Sequence, residues 1–115
     1  MSDRTTVDFL RDILEASNRI KAYSRGIGYD DFLADLKTQD AVVRNLEIIG
    51  EASKNLSNVF RAQYPQVPWK SLTGMRDKLI HDYFGVNLDI VWGVLKEDLG
   101  ELTGQIEIIL KNLEE

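Results

Sequence analysis

A regular spacing of apolar side chains in the C-terminal part of the chain restricts the fold more than any other feature. The steps from one apolar residue to the next alternate between four and three positions along Leu88, Trp92, Leu95, Leu99, Leu102, Ile106, Ile109 and Leu113. This is the heptad spacing of a helix that packs along another helix. The pattern predicts one long helix from about Asn87 to Leu113, packed against a neighbour in the same chain or in a partner chain.

Three glycines interrupt this predicted helix, namely Gly93, Gly100 and Gly104. Each glycine lowers helix stability by about 1 kcal/mol relative to alanine. Because glycine lets another backbone approach closely, the three residues predict a neighbouring helix packed tightly against this one.

Apolar residues recur at helical spacing through the rest of the chain, and no stretch has the pattern of a strand pair. The predicted helices run from about Thr5 to Tyr23, Tyr29 to Leu36, Thr38 to Leu56 and Trp69 to Phe84. The faces expected to be buried are Val7, Leu10, Ile13, Leu14, Ser17 and Ile20 in the first helix, and Val42, Leu46, Ile49, Ala52 and Leu56 in the third. We therefore expect an all-α fold, an up-and-down helical bundle forming a single domain over residues 1–115.

The composition is that of an ordinary folded chain. Of its 115 residues, 43% are hydrophobic and 29% are charged, and none is cysteine. The lack of cysteine excludes disulfides and cysteine-ligated zinc, and it fits a reducing compartment such as the cytoplasm. No stretch approaches the ~18 apolar residues of a membrane span, and no apolar run follows Met1. We expect neither a membrane segment nor a signal peptide.

The charge is unevenly distributed along the chain. The net charge is −5, and residues 86–115 account for all of it, with two basic and seven acidic side chains. Between Lys54 and His81 five basic residues stand against one acidic residue, a local net charge of +4. This basic middle segment can meet phosphate groups even though the whole protein is acidic. It is equally compatible with an ordinary solvated surface.

Arg76 stands out because it falls among the apolar residues of the helix predicted to begin at Trp69. At about 100° per residue, Trp69 and Ile80 lie to one side of Arg76, and Leu72 and Tyr83 lie to the other. Desolvating a guanidinium group is costly unless an anion or several acceptors compensate it. Arg76 is therefore expected either to pair with a buried carboxylate or to face a crevice where an anion binds.

His81, the single histidine, lies in the last turn of the same predicted helix, beside Lys70 and Asp77 on the helical wheel. The charged imidazolium is favoured near a helix C-terminus. A lone histidine is more often structural or exposed than catalytic. Tyr83, two turns after Arg76, is either an aromatic core residue or a hydroxyl at the edge of the crevice.

The third predicted helix carries a weaker anomaly of the same kind. Asn45 falls on its apolar stripe, where a buried amide needs hydrogen-bond partners. It either caps a loop or faces the same crevice as Arg76. Glu47 and Glu51 form a carboxylate pair or, more simply, pair with Arg44 and Lys54 on the helix surface.

Residues 76–83 read R-D-K-L-I-H-D-Y, the spacing R-x4-H-x-Y. This resembles the HEPN superfamily, whose ribonuclease members carry R-x4-6-H, and the added tyrosine resembles its HepT-like toxin branch. The segments I-I-G-E-A at 48–52, Q-D-A-V-V-R at 39–44, D-F-L at 8–10 and D-I-L at 12–14 are similar to the same branch. The resemblance covers nearly the whole chain.

The resemblance implies a cytoplasmic bacterial or archaeal toxin that is a metal-independent ribonuclease with no cofactor, acting on tRNA or mRNA. Members of the family form homodimers, so two R-x4-H-x-Y segments would meet in one cleft. Arg76 and His81 would be the catalytic residues. Tyr83 would hold the substrate phosphate and would also be the residue to which a minimal nucleotidyltransferase antitoxin attaches AMP.

Four further residues are candidates for supporting roles around this motif. Two belong to the motif itself, Asp77 and Lys78, and the other two are Lys70 and Asn45. A different class of function also fits the chain, a non-catalytic helical module that docks a nucleotidyltransferase. A third possibility is a nucleotide-binding bundle in which Arg76 holds a mononucleotide phosphate.

Overall fold

The computed structural model describes residues 4–74 and 87–114. Its helices are α1 (Thr6–Tyr23), α2 (Tyr29–Ala34), α3 (Leu36–Asn55), α4 (Asn58–Gln63), the start of α5 (69–74), α6 (Leu88–Gly93) and α7 (Leu99–Glu114). A π-helical turn, Val94–Asp98, joins α6 to α7. The described residues contain helices and no strand, so the expected all-α fold is confirmed.

Helix α1 packs against both α3 and α7. Arg4 and Asn55 line one groove between α1 and α3, and Arg19 and Asn45 line another. The start of α1 therefore lies beside the end of α3, and the two helices run antiparallel.

The ends of α1 agree with the prediction because local signals set them. Thr5 caps the helix by accepting a hydrogen bond from the Asp8 backbone N–H, and the Asp8 carboxylate accepts one from the Thr5 N–H. Hydrogen bonding of the Asp8 carboxylate to the backbone N–H and the side chain of Thr5 holds the pKa of Asp8 below its usual value. After the helix, Gly26 adopts a φ of +75°, a left-handed conformation that glycine reaches without strain.

The boundary between α2 and α3 differs from the prediction. Leu36 was expected to end the short helix, but it begins α3 instead. The reason is Asp35, whose side chain accepts hydrogen bonds from the hydroxyl and the backbone N–H of Thr38. Asp35 is therefore the N-cap of α3, and these bonds hold the pKa of its carboxyl group below its usual value.

A short helix between α3 and α5 was not predicted. Helix α4 is capped by Ser57, which accepts a hydrogen bond from the backbone N–H of Phe60. The Phe60 side chain is buried, with its ring centroid 5.0 Å from that of Tyr64 and 6.3 Å from that of Trp69. One turn of helix thus carries an aromatic anchor, which is too short a signal for periodicity to detect.

The core confirms most of the predicted buried faces. All five residues of the α3 stripe are buried, as are Leu10, Ile13, Ser17 and Ile20 of α1, whereas Val7 and Leu14 are half-buried. Three buried hydroxyl groups belong to Ser17, Ser53 and Thr103. Each donates a hydrogen bond of 2.7 to 2.9 Å to the carbonyl four residues earlier, so none is buried without a partner.

The C-terminal seam is interrupted by the π-helical turn. From Leu99 to Ile109 the predicted seam residues are buried, but Leu88, Trp92 and Leu95 are half-buried and Leu113 is exposed. Before the turn the fully buried residue is Val91. A π turn widens the helix by one residue per turn and so shifts the buried face. The prediction of one long helix is confirmed, since residues 88–114 are helical without a break, but the predicted seam is not buried along its whole length.

The glycines of this segment do not mark a close approach within the described residues. A Cβ atom built on Gly93, Gly100 or Gly104 would have no neighbour within 4 Å apart from adjacent residues and the backbone of its own helix. The expectation of a tightly packed neighbouring helix is therefore not met by the described part of the chain.

Within the described residues, no helix is both long enough and apolar enough to span a membrane.

Candidate functional site

The R-x4-H-x-Y motif lies between the two described segments. Arg76, Asp77, Lys78, His81 and Tyr83 are all outside the described residues. The structure does show how the chain is held on both sides of the motif, at α5 and at α6. It also places the two remaining candidates, Lys70 and Asn45.

The segment that leads into the motif starts from a fixed base. Trp69 is buried, and its ring nitrogen Nε1 donates a 3.0 Å hydrogen bond to the carbonyl oxygen of Tyr64. One turn later the backbone N–H of Leu72 donates to the carbonyl oxygen of Pro68, which starts the helical hydrogen bonding of α5. Together with Phe60 these contacts anchor the first turn of the helix that was predicted to carry Arg76.

The described part of α5 has the orientation that the sequence predicts. Trp69 is buried and Leu72 is half-buried, whereas Lys70 and Ser71 are exposed. Trp69 and Leu72 are the two described members of the apolar arc in which Arg76 was expected. The same helical period predicts Arg76 on this inward side, and it leaves Lys70 on the solvent side.

The segment that leads out of the motif is anchored as well. The Asn87 side chain caps α6 by accepting hydrogen bonds from the backbone N–H groups of Asp89 and Ile90. Asp89 in turn accepts a hydrogen bond from the Tyr29 hydroxyl, which raises the pKa of Tyr29. The Trp92 ring packs edge-on against Tyr29, with centroids 5.8 Å apart. Both ends of the motif segment are therefore tied to other helices.

Asn45 is buried on α3 at the groove beside α1. Its Nδ2 donates a 2.8 Å hydrogen bond to the carbonyl oxygen of Ala41, one turn earlier on the same helix. Its Oδ1 is shielded from solvent and accepts no hydrogen bond within the described residues. Asn45 therefore caps no loop. It shares a small groove with Asp12 and Arg19 of α1, and no hydrogen bond joins it to Lys70.

The outer surface of these two helices, here called the α1–α3 face, comprises Arg4, Asp12, Glu15, Arg19, Arg44 and Glu47. Its three arginines are each paired with a carboxylate of the same face, at 2.6 Å for Arg4 and Asp12, 2.6 Å for Arg19 and Glu15, and 3.7 Å for Arg44 and Glu47. The predicted pairing of Arg44 with Glu47 is confirmed. Because these charges neutralise one another, the face has little capacity to attract an anion.

A cleft that sequence reasoning missed lies between α3, α5 and the start of α7. Its volume is about 320 Å³, near the lower end of the range for small-ligand sites. Its lining includes the aliphatic side chains of Leu72, Val94 and Leu102 and the carboxylates of Asp98 and Glu101. We call this space the α7 cleft. Val94 and Asp98 belong to the π turn and line this cleft. The apolar spacing from which the helix was predicted does not reveal a π turn.

The carboxylates of the α7 cleft differ from those of the α1–α3 face, because they have no partner among the described residues. Neither Asp98 nor Glu101 forms an ion pair or a side-chain hydrogen bond within residues 4–74 and 87–114. Gln105 also lines the cleft and donates a 2.9 Å hydrogen bond to the carbonyl oxygen of Gln66. Among the described residues, no three acidic or imidazole side chains converge in a way that could hold a metal ion.

Comparison with known proteins gives a consistent result. The family described as ribonuclease HepT-like matches residues 13–109. A protein of Thermococcus cleftensis named "Probable ribonuclease HepT" is 50% identical over 108 residues, which cover 94% of this chain and 98% of that protein. A Methanocaldococcus jannaschii protein with RNase in its name is 48% identical over 106 residues, which cover 92% of this chain and 88% of that protein. No solved structure matches the chain.

Proposed function

Because the chain belongs to the HepT-like ribonuclease family, we propose that it cleaves RNA without a metal ion, through Arg76 and His81. The observation that carries the proposal is family membership over nearly the whole chain, combined with an R-x4-H spacing that lies within the R-x4-6-H range of the ribonuclease members. The anchoring of α5 at Trp69 supports it, because a fixed helix start can hold a motif on the following turns in one orientation.

The chemistry of RNA needs few protein groups. The 2′-hydroxyl is an internal nucleophile: its oxygen attacks the adjacent phosphorus, the bond from phosphorus to the 5′-oxygen breaks, and a 2′,3′-cyclic phosphate forms. A base removes the proton from the 2′-hydroxyl, and an acid protonates the departing 5′-oxygen. His81 suits both tasks because the ordinary pKa of imidazole is about 6.5. Arg76 stabilises the negative charge that builds up on the phosphate oxygens.

A homodimer supplies what one chain lacks. Each chain has a single histidine, whereas proton removal and proton donation are best served by two groups. Two copies of His81 in a shared cleft provide both. The outward side of α7 supports a second chain, since it carries Gly100 and Gly104 with open space around them and the exposed side chain of Ile108.

We assign the ribonuclease to a cytoplasmic toxin–antitoxin pair whose antitoxin is a minimal nucleotidyltransferase that adenylylates Tyr83. The added AMP carries about one negative charge at a position where the RNA phosphate binds. Arg76 then holds the modification instead of the substrate. The two exposed tyrosines that the structure describes, Tyr23 and Tyr29, are controls for this modification, and the Tyr29 hydroxyl is already engaged by Asp89.

The decisive experiment is cleavage of RNA in EDTA by the purified protein and by Arg76→Ala and His81→Ala. We expect a 2′,3′-cyclic phosphate product from the parent protein and losses of at least about 100-fold in both variants. Arg25→Ala, which removes an exposed basic residue outside the motif, is the matched control and retains activity. Undiminished cleavage by His81→Ala would overturn the mechanism.

Light scattering and intact-mass measurement test the assembly and the regulation. The protein should be a dimer at micromolar concentration. Incubation with the nucleotidyltransferase, ATP and Mg²⁺ should add AMP to the parent chain and none to Tyr83→Phe. A monomer, or AMP mapped to Tyr23 or Tyr29, would contradict these assignments. Absence of any cleavage together with tight binding of the nucleotidyltransferase would instead favour a non-catalytic docking module.

A further inference from the structure

We propose that the α7 cleft binds a nucleobase of the RNA and that Asp98 and Glu101 make it selective for guanine. This inference deepens the proposed function, on which its place in RNA cleavage rests. The cleft combines aliphatic side chains with carboxylate acceptors that have no partner in the described part of the chain, and a flat heterocycle with polar edges requires this combination.

The size and the shape of the lining favour a base over a larger occupant. Leu72, Val94 and Leu102 offer apolar surface against which a ring can pack, and the volume of about 320 Å³ suits a single base or nucleoside. Asp98 and Glu101 line the same space. A ring that packs on the aliphatic side chains is therefore within one cleft with two carboxylates that can accept hydrogen bonds from its edge.

The charge of the cleft determines which part of a nucleotide it accepts. Its described lining contains two carboxylates and no basic residue, which disfavours a phosphate beside these two side chains and favours the uncharged base as the group that they bind. An ionised carboxylate only accepts hydrogen bonds. Guanine offers N1–H and the exocyclic amino group side by side, which match the two oxygens of one carboxylate. Adenine and cytosine offer only the amino group on that edge, and uracil offers a single N–H.

The two carboxylates are available for this role. Neither is engaged by another side chain in the part of the chain that the structure describes, in contrast to the paired carboxylates of the α1–α3 face. Both are on exposed positions, where a ligand can reach them from solvent. An acceptor with no partner among the described residues gains one when a base with donors enters.

The cleft is also close to the motif along the chain. Leu72 lines the cleft, and four peptide units separate it from Arg76. Successive Cα atoms are about 3.8 Å apart, so the Cα atoms of Leu72 and Arg76 are at most about 15 Å apart. That distance is spanned by a few nucleotides. A phosphate held at Arg76 and a base held in the α7 cleft can therefore belong to one short stretch of RNA.

The test uses the full-length protein in two assays. The first compares cleavage of RNA oligonucleotides that differ in one base, guanine or uracil, near the cut. The second measures guanosine and uridine binding by titration followed by NMR. The variants are Asp98→Asn, Glu101→Gln and the double variant. Glu97→Gln is the matched control, because Glu97 lies on the same π turn and is exposed but does not line the cleft.

We expect the parent protein to prefer guanine, and the double variant to lose about tenfold or more of that preference, measured as the ratio of its cleavage rates on the guanine and uracil substrates. Glu97→Gln should match the parent. A parent with no base preference, or a preference that survives in the double variant, would overturn the inference while leaving the ribonuclease intact. Guanosine binding that needs Asp98 or Glu101 without any RNA cleavage would support the pocket and refute the proposed function. Changes at the cleft that follow dimerisation and not nucleoside addition would show that protein covers it, and would overturn the inference.

Discussion

On the α1–α3 face, three arginines lie within 4 Å of carboxylates of the same face, whereas at the α7 cleft Asp98 and Glu101 have no described partner. The helices of the two regions also differ in regularity. Helices α1 and α3 are regular and carry capped N-termini, and the segment beside the cleft contains a π turn. Irregular helical turns are frequent at functional sites. The comparison indicates that α1 and α3 serve mainly to hold the bundle together, while the cleft side retains groups for binding.

The comparison predicts its largest effect in the core beneath the α1–α3 face. Ile13 is fully buried on α1, so Ile13→Ala should lower the free energy of unfolding by about 2–5 kcal/mol. Leu72→Ala at the half-buried wall of the cleft should cost less, because the removed atoms were only partly shielded from water. Urea unfolding measures both. Ile13→Val, expected to cost about 1 kcal/mol, keeps the test informative should the alanine variant not fold. Equal losses of unfolding free energy in Leu72→Ala and Ile13→Ala would contradict the distinction between a tightly packed core beneath the α1–α3 face and an open cleft.

A second prediction concerns the buried amide of Asn45. Replacing it with leucine removes a buried acceptor that has no partner within residues 4–74 and 87–114, so Asn45→Leu should raise the free energy of unfolding by about 1 kcal/mol. Gln39→Leu is the opposite case, since the Gln39 amide donates to the carbonyl oxygens of Phe32 and Leu33 at 2.9 and 3.1 Å. That change should lower stability by about 1–2 kcal/mol. Destabilisation by Asn45→Leu would show that Oδ1 is satisfied in solution, and lost cleavage would give Asn45 a place in the site.

A third prediction is the pH dependence of the capped helices. The hydrogen bonds from Thr38 lower the pKa of Asp35 in the folded chain. Its contribution to stability is therefore present above the unfolded pKa of about 4 and is lost as the pH falls through the lower folded value. Asp35→Asn keeps the capping oxygen but does not titrate, so its thermal unfolding midpoint should fall less steeply between about pH 4 and pH 2. Identical slopes for the variant and the parent would refute this role of Asp35.

The smallest effect is expected for the surface ion pairs. Arg19 and Glu15 are exposed and lie 2.6 Å apart, and exposed pairs of this kind contribute no more than about 1 kcal/mol. The double variant Arg19→Gln with Glu15→Gln should unfold within about 0.5 kcal/mol of the parent, and its stability should vary less with salt. A loss above about 2 kcal/mol would mean that the α1–α3 face depends on its charges and not on its core.

Much of the fold could be predicted from the sequence because the signals are local. The α3 stripe from Val42 to Leu56 is buried as the spacing predicts, and the cap at Thr5 sets the start of α1 within one residue. The family motif at 76–83 is likewise readable from residue types and their spacing alone. These features depend on the helical period and on hydrogen bonds between residues a few positions apart.

Other features depended on contacts between distant segments. The α7 cleft arises from how α3, α5 and the segment around the π turn at Val94–Asp98 meet. The burial of Asn45 Oδ1, which has no partner among the described residues, arises from how α3 packs beside α1. The apolar spacing keeps one heptad register across Val94–Asp98, so it predicted the long helix but not the widened turn within it. Local sequence determines which residues form helices and which side each helix buries. Only the packing of several helices decides which polar groups obtain partners and where space remains between them.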